Sequence, residues 1–450
     1  MKYFGTDGIR DRSDGPLLAP QFVYRLGRAV GKWLRRTHRS ASPHVIIGRD
    51  TRSSGKDIFQ ALARGLHQEG IRIFEARVCP TPAVASSVIS LGLDLGIVIT
   101  ASHNPARDNG IKLFGNDGAK LTEASESELE TIVDALDPAD PSFATSPPVK
   151  FHEARRHYIE SYAKMLPENA LMGMRIVLDS ANGATFQSSG ECLTGFGAQV
   201  MAIADTPDGS NINLGVGSEH PEIIAAATRQ HQADLGISHD GDGDRVILCD
   251  GSGNILDGDA VLALLGNGWA RRNDLPGQLL VATIMSNLGL DACLSPAGVR
   301  VHRVGVGDRQ VYYAMKECGA SLGGEASGHF ISLKHLPTGD GLLAVLLILR
   351  EMLAQDKSLA ALTSLYEPFP QMKKNLPVAE KPDLDTIVPL QADLDSIRDR
   401  LGDRGRILLR YSGTEPKIRL LAEAPDESLA SNTLGELEAV VRKHLPVATD

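Results

Sequence analysis

Ser102 stands in Thr100-Ala101-Ser102-His103-Asn104-Pro105, directly after the apolar run Leu95–Thr100. The run reads as a buried strand and Asn104-Pro105 as a turn. That places a hydroxyl at the carboxyl end of a strand, where open α/β sheets bind ligands. A second loop, Asp240-Gly241-Asp242-Gly243-Asp244-Arg245, follows the strand-like run Ala233–Ser238. Three carboxylates on alternate residues of an extended loop share one side. They repel one another unless a cation neutralises them. Oxygen ligands of this kind favour Mg²⁺ or Mn²⁺. The spacing also matches half of an EF-hand, but Arg245 stands where that motif needs glycine and Gly251 where it needs glutamate. A nucleophilic serine beside a carboxylate cation site points to metal-assisted phosphoryl transfer.

Two further loops carry complementary groups. In Gly324-Glu325-Ala326-Ser327-Gly328-His329 the polar residues alternate, so an extended loop would face them one way. Glu325 and Ser327 suit hydrogen bonds to sugar hydroxyls, and His329 suits proton transfer near neutral pH. In Arg410-Tyr411-Ser412-Gly413-Thr414-Glu415-Pro416-Lys417-Ile418-Arg419 the amides beside Gly413, the hydroxyls of Ser412 and Thr414, and the guanidiniums of Arg410 and Arg419 form a phosphate cradle. No Walker or dinucleotide glycine pattern occurs, so a nucleotide-dependent kinase is disfavoured. Lys112 could exchange the serine's proton or neutralise charge. Arg245, next to the carboxylates, could hold phosphate oxygens.

The elements that must position these loops are legible from periodicity. Apolar strands alternate with amphipathic helices, around Phe22–Trp33 and Ile58–Leu66 for example, which favours an α/β fold. At 450 residues several domains are expected. Proline-rich breaks at Asp137–Pro148 and Glu367–Pro370, with the Asp-Gly loop closing the second unit, divide the chain at 1–148, 149–252, 253–367 and 368–450. The expected fold is three mixed-sheet α/β domains plus a smaller C-terminal α+β domain around a central cleft. A net charge of −10 argues against general nucleic-acid affinity. Five scattered cysteines and an N-terminus without an apolar core suit a cytoplasmic protein. The longest apolar stretch, Leu342–Leu349, is too short to span a bilayer.

With these loops in view, the chain resembles the α-D-phosphohexomutases. The matching stretches are Phe4-Gly5-Thr6-Asp7-Gly8-Ile9-Arg10, Thr100–Pro105 with Asn109-Gly110-Ile111-Lys112, Asp240–Arg245, Gly324–His329 and Arg410–Arg419. The ending Ser412-Gly413-Thr414-Glu415-Pro416 resembles the branch acting on glucosamine phosphates. The resemblance implies four domains around one cleft, and interconversion of glucosamine 6-phosphate and glucosamine 1-phosphate for UDP-N-acetylglucosamine synthesis. It implies that Ser102 is a phosphoserine and that Asp240, Asp242 and Asp244 hold one Mg²⁺ with it. Glu325 and Ser327 would read the sugar, while Arg410, Ser412, Gly413, Thr414 and Arg419 would hold the distal phosphate. Arg10, Lys112 and His329 would handle charge and protons. A glucosamine or glucose 1,6-bisphosphate activator and a homodimer are also implied. Ala326 departs from the glutamine expected in that branch. The alternatives are a glucose or mannose phosphate mutase, a Mg²⁺-dependent sugar phosphatase, and a non-catalytic sugar-phosphate sensor.

Overall fold

The computed structural model describes residues 1–37, 42–137, 147–412 and 416–447. The chain forms two compact units, Met1–Ser286 with Leu294–Leu365, and Asn287–Cys293 with Tyr366–Asp450. The first contains three mixed sheets flanked by helices, and the second a small antiparallel sheet. This is the expected mixture of α/β units with a smaller α+β unit.

The first sheet has the strand order Phe4–Gly5, Gly8–Arg12, Asp108–Gly115, Leu95–Ile99, His44–Arg49, Arg72–Val78, Val149–Phe151. Leu95–Ile99 is buried at every position, as a continuous apolar run demands of a strand covered on both faces. It runs parallel to His44–Arg49 and antiparallel to Asp108–Gly115. Helix Pro20–Thr37 begins with proline at its first position, where the missing N–H is harmless. Its buried stripe, Phe22, Leu26, Val30 and Trp33, joins one core with Ile58 and Leu62 of helix Gly55–Gln68. Each such side chain contributes about 1.5–3 kcal/mol on burial. Val149–Phe151, assigned by sequence to the second segment, instead pairs with Arg72–Val78 as the last strand of the first sheet. The expected linker falls largely on residues 138–146, outside the described residues.

The second sheet is ordered Ile255–Leu256, Val246–Asp250, Leu235–His239, Arg175–Asp179, Gln199–Ile203, and the third Arg300–Val304, Leu279–Thr283, Leu322–Gly324, Phe330–Ser332. Leu342–Leu349 lies within the buried face of helix Gly341–Gln355. Among the described residues no helix is long and apolar enough to cross a membrane. The second unit pairs Gln371–Pro377 and Arg406–Tyr411 on either side of Lys417–Glu423. Its core joins Leu376, Ile418 and Leu420 to Leu394 and Leu437 of the covering helices.

A buried ion pair ties the first sheet's helices to the third's. Arg309, on helix Asp308–Cys318, donates to both oxygens of Glu126, on helix Glu123–Asp134, at 2.8 and 2.5 Å. Removing one partner strands the other's charge away from water, which typically costs about 3–5 kcal/mol. Glu126→Ala is therefore expected to lower stability by about 3 kcal/mol, read from the urea midpoint, and Glu126→Ala/Arg309→Met to recover much of that loss.

Candidate active site

Both chemical loops grow from strand ends. Ser102 follows strand Leu95–Ile99, and Asp240 follows strand Leu235–His239. They meet directly, since the Ser102 hydroxyl donates to Asp240 Oδ2. Gly241 makes the approach feasible, because a Cβ there would stand 2.6 Å from the Ser102 carbonyl oxygen. Ser102 has φ +52, an unfavourable left-handed conformation for a serine.

That conformation is held by Arg52, which sequence reasoning did not single out, and by Asn213 and Thr100. The guanidinium of Arg52, inaccessible to solvent, pairs with Asp50 at 2.9 Å. It also donates to the carbonyls of Ser102 at 3.0 Å, Asn104 at 2.8 Å and Asp108 at 2.8 Å, and to that of Pro105. Asn213 Nδ2 donates to the carbonyls of Ser102 at 2.8 Å and Asn104 at 2.9 Å. Thr100 Oγ1 accepts from the Ser102 amide at 2.9 Å and donates to Asp50 at 2.7 Å.

The aspartates converge, but by a different route from the expected extended loop. The chain turns tightly, with Gly243 at φ +74 and its amide, like that of Arg245, donating to Asp240 Oδ1 at 3.0 and 3.2 Å. The turn brings one oxygen of each of Asp240, Asp242 and Asp244 within 4.8 Å of the others, and all three residues are buried. Asp242 Oδ1 and Asp244 Oδ1 are buried without a hydrogen-bond partner. Three buried carboxylates this close, with two oxygens unbonded, fit a divalent cation that prefers hard oxygen donors.

Lys112 lies on strand Asp108–Gly115 opposite Val98. Its Nζ contacts Asp242 at 2.9 Å, Asp244 at 3.0 Å and Asp7 at 3.1 Å. Burial disfavours its charge, but Asp242, Asp244 and Asp7 outweigh that and push its pKa well above the ordinary lysine value. Lys112 is thus a fixed cation, and of the roles weighed for it from sequence, that of proton acceptor is the one its surroundings oppose. Burial, then repulsion from Asp244 and Asp242, pushes the Asp240 carboxyl well up. Burial works the same way on Asp244, but Lys112, His329 and Arg245 overcome it and hold Asp244 at about 2.

A cavity of about 360 Å³ adjoins this cluster, and Arg10, Arg245, Glu325, Ser327 and His329 all line it. Ser102, Asp240 and Asp242 lie fully buried behind it, while His103 and Asp244 reach it. Arg10 donates to Asn104 at 3.1 Å and to Asp7 at 3.2 Å. Arg245 lies 4.0 Å from Asp244 and 3.8 Å from Glu219. The Glu325 loop is also a turn rather than extended, with Gly328 at φ +90 and its amide donating to the Glu325 carbonyl at 3.0 Å. Glu325 is buried and accepts from the Gly307 amide at 3.0 Å, whereas Ser327 is exposed. His329 sits between Asp308, 3.3 Å from Nε2, and Asp244, 3.8 Å from Nδ1. Lys120, also missed by sequence reasoning, bonds Asp7 and lies 2.5 Å from Asp308. Asp7 belongs to a stretch already noted, but nothing local to the sequence marks Lys120 or Asp308.

In the second unit Arg410 and Arg419 are directly opposed on adjacent strands. Burial and then the Arg419 charge lower the Arg410 pKa. Arg419 also donates to Ser412 Oγ at 3.2 Å. Two like charges side by side suit an anion. Gly413 and Thr414 lie outside the described residues.

Comparison with known proteins accords with this geometry. Family models described as phosphoglucomutase/phosphomannomutase alpha/beta/alpha domains I, II and III and C-terminal domain match residues 1–140, 156–253, 257–369 and 374–439. Phosphoglucosamine mutase of Paracoccus denitrificans is 42% identical over 446 residues, covering 98% of this chain and 99% of that protein. The Sorangium cellulosum protein of the same name is 42% identical over 432 residues, with 95% and 90% covered. A Burkholderia thailandensis phosphoglucomutase/phosphomannomutase family structure superposes with a TM-score of 0.82 at 23% identity, over 99% of each chain. Aspergillus fumigatus N-acetylphosphoglucosamine mutase, solved with GlcNAc-6P and magnesium, gives 0.65 at 18% identity, over 98% of this chain and 96% of that one.

The Arg52 contacts make a prediction independent of chemistry. Arg52→Lys cannot span four carbonyls and Asp50 at once. Amide exchange across residues 101–108 is expected to accelerate about tenfold or more, while strand His44–Arg49 keeps its protection.

Proposed function

We propose a reaction from one premise: the chain belongs to the phosphoglucomutase/phosphomannomutase family, and is a phosphohexomutase, an isomerase. The reading is that it interconverts glucosamine 6-phosphate and glucosamine 1-phosphate through phospho-Ser102 and a 1,6-bisphosphate, supplying UDP-N-acetylglucosamine synthesis in the cytoplasm. The observation that carries it is the Ser102 hydroxyl bonded into a buried triad of carboxylates. The sugar assignment is supported by the relatives named phosphoglucosamine mutase.

In the first half-reaction the Oγ–P bond of phospho-Ser102 breaks as a bond forms between phosphorus and the sugar's O1. The O1 proton passes by way of the protein to Ser102 Oγ, so charge and atoms balance. The bisphosphate then turns end for end. In the second half-reaction the P–O6 bond breaks, phosphorus returns to Ser102 Oγ, and the proton returns to O6. Asp240, Asp242 and Asp244 would hold Mg²⁺ beside Ser102, and the ion would supply charge neutralisation at the phosphoryl oxygens when bound. Lys112, as a fixed cation, offsets the aspartates' charge. His329, at the cavity wall between two carboxylates, is the residue assigned to proton transfer. Arg10 and Arg245 hold phosphate oxygens, and Glu325 and Ser327 read sugar hydroxyls. Arg410, Ser412, Gly413, Thr414 and Arg419 bind the phosphate that is not reacting. A sugar 1,6-bisphosphate primes unphosphorylated enzyme.

The test offers glucosamine, N-acetylglucosamine, glucose and mannose 6-phosphates in parallel. Glucosamine 6-phosphate is expected to react fastest, to yield the 1-phosphate with little inorganic phosphate, and to need the bisphosphate primer. Chelation should abolish turnover and Mg²⁺ restore it. Asp242→Asn should cost about 10²–10³ in kcat, the usual scale for losing a group that stabilises developing charge. Mainly inorganic phosphate as product would make the protein a phosphatase. Faster turnover of glucose or mannose 6-phosphate would place it in another branch of the family.

A further inference from the structure

A separate cavity of about 390 Å³ in the first unit shares no lining residue with the cavity described above. Four arginines line it, Arg49, Arg77, Arg155 and Arg156, together with Glu153 and Glu191. Both glutamates are already engaged, Glu191 by Arg155 and Glu153 by Arg156 at 3.3 Å, and Arg156 also pairs with Glu160 at 2.8 Å. Arg49 pairs at 3.0 Å with Glu75, which does not line the cavity. Arg77 differs from the other three, since among the described residues no carboxylate pairs with it. Its guanidinium lies over the Phe151 ring, 4.3 Å from the centroid.

The backbone spends free energy to place Arg77. Its φ is +56, beside a register break where Ile47 opposes Glu75 but Gly48 opposes Arg77. A bulge of this kind re-aims a side chain at a cost in local strain. His152 also lines the cavity, and its Nε2 is buried without a hydrogen-bond partner. Two helix starts, at Ala154–Ser161 and Ser188–Gly195, open beside it, and neither N-cap residue, Glu153 or Gln187, closes its helix with a side-chain bond. An arginine without a carboxylate partner and an orphan imidazole nitrogen beside one cavity suit a phosphate group. The volume falls in the range of small-molecule pockets and exceeds what bare phosphate fills.

We propose that this cavity is a second ligand site, binding a small phosphorylated metabolite. Its phosphate lies on Arg77, Arg155 and His152 Nε2, and its body fills the remaining space. Nothing in the proposal depends on the reaction assigned to Ser102.

The test is histidine-ring NMR of the full chain, with His152 assigned by His152→Gln. Inorganic phosphate and ribose 5-phosphate are the two probes. Both are expected to shift the His152 resonance saturably, ribose 5-phosphate at lower concentration because its sugar adds contacts. Arg77→Ala should weaken both responses about tenfold or more while leaving turnover and thermal midpoint unchanged. No saturable shift with either probe at millimolar concentration would overturn the proposal. So would a shift of the same affinity in Arg77→Ala, or tighter binding of inorganic phosphate than of ribose 5-phosphate.

Discussion

Three buried carboxylates within 4.8 Å of one another set the terms for everything around them. At that separation each pair repels by about 3 kcal/mol even at an effective dielectric of ~20. One lysine offsets part of this, and Lys112 touches only Asp242 and Asp244 within the triad. Asp240 is left facing the Ser102 hydroxyl, with its pKa pushed up by burial and by the other two. Such a cluster favours more positive charge beside it, and Asp242 Oδ1 and Asp244 Oδ1 are buried without a hydrogen-bond partner. A divalent cation would meet that need, and the triad could hold one.

The neighbouring charges form a chain around that constraint. Lys112 joins Asp244 to Asp7, Lys120 joins Asp7 to Asp308, and His329 stands between Asp308 and Asp244. Burial alone would lower the pKa of Lys120, yet Asp308 and Asp7 raise it, so both lysines stay charged without water. The result is a polar wall whose side chains are fixed before any ligand arrives, and such preorganisation is what electrostatic catalysis uses. The serine loop is fixed by other means. Arg52, Asn213 and Thr100 satisfy its carbonyls and amide, and this offsets the strain of a left-handed Ser102.

Much of this was legible in the sequence because strand-end loops are local objects. The apolar runs before Ser102 and Asp240 are strands, as their composition suggests. The convergence of the three aspartates was read from their alternation on an extended loop, but the backbone reaches it through a turn at Gly243. A glycine every second residue leaves both routes open, and only the hydrogen bonds to Asp240 choose between them. Arg52, Lys120 and Asp308 were illegible for a different reason. Each acts across 50 or more residues of sequence, on Ser102, Asp7 and Lys120 respectively. The edge strand Val149–Phe151 was misplaced because three residues carry no pairing signal of their own.

The central claim is that Ser102 carries the phosphoryl group between the two ends of one sugar. It is tested most directly by priming unphosphorylated enzyme with ³²P-labelled glucose 1,6-bisphosphate, mapping the labelled peptide, and chasing with unlabelled glucosamine 6-phosphate. The prediction is that label resides on Ser102 and leaves in sugar phosphates as fast as turnover. Label on another residue, or release of the Ser102 label chiefly as inorganic phosphate, would contradict it.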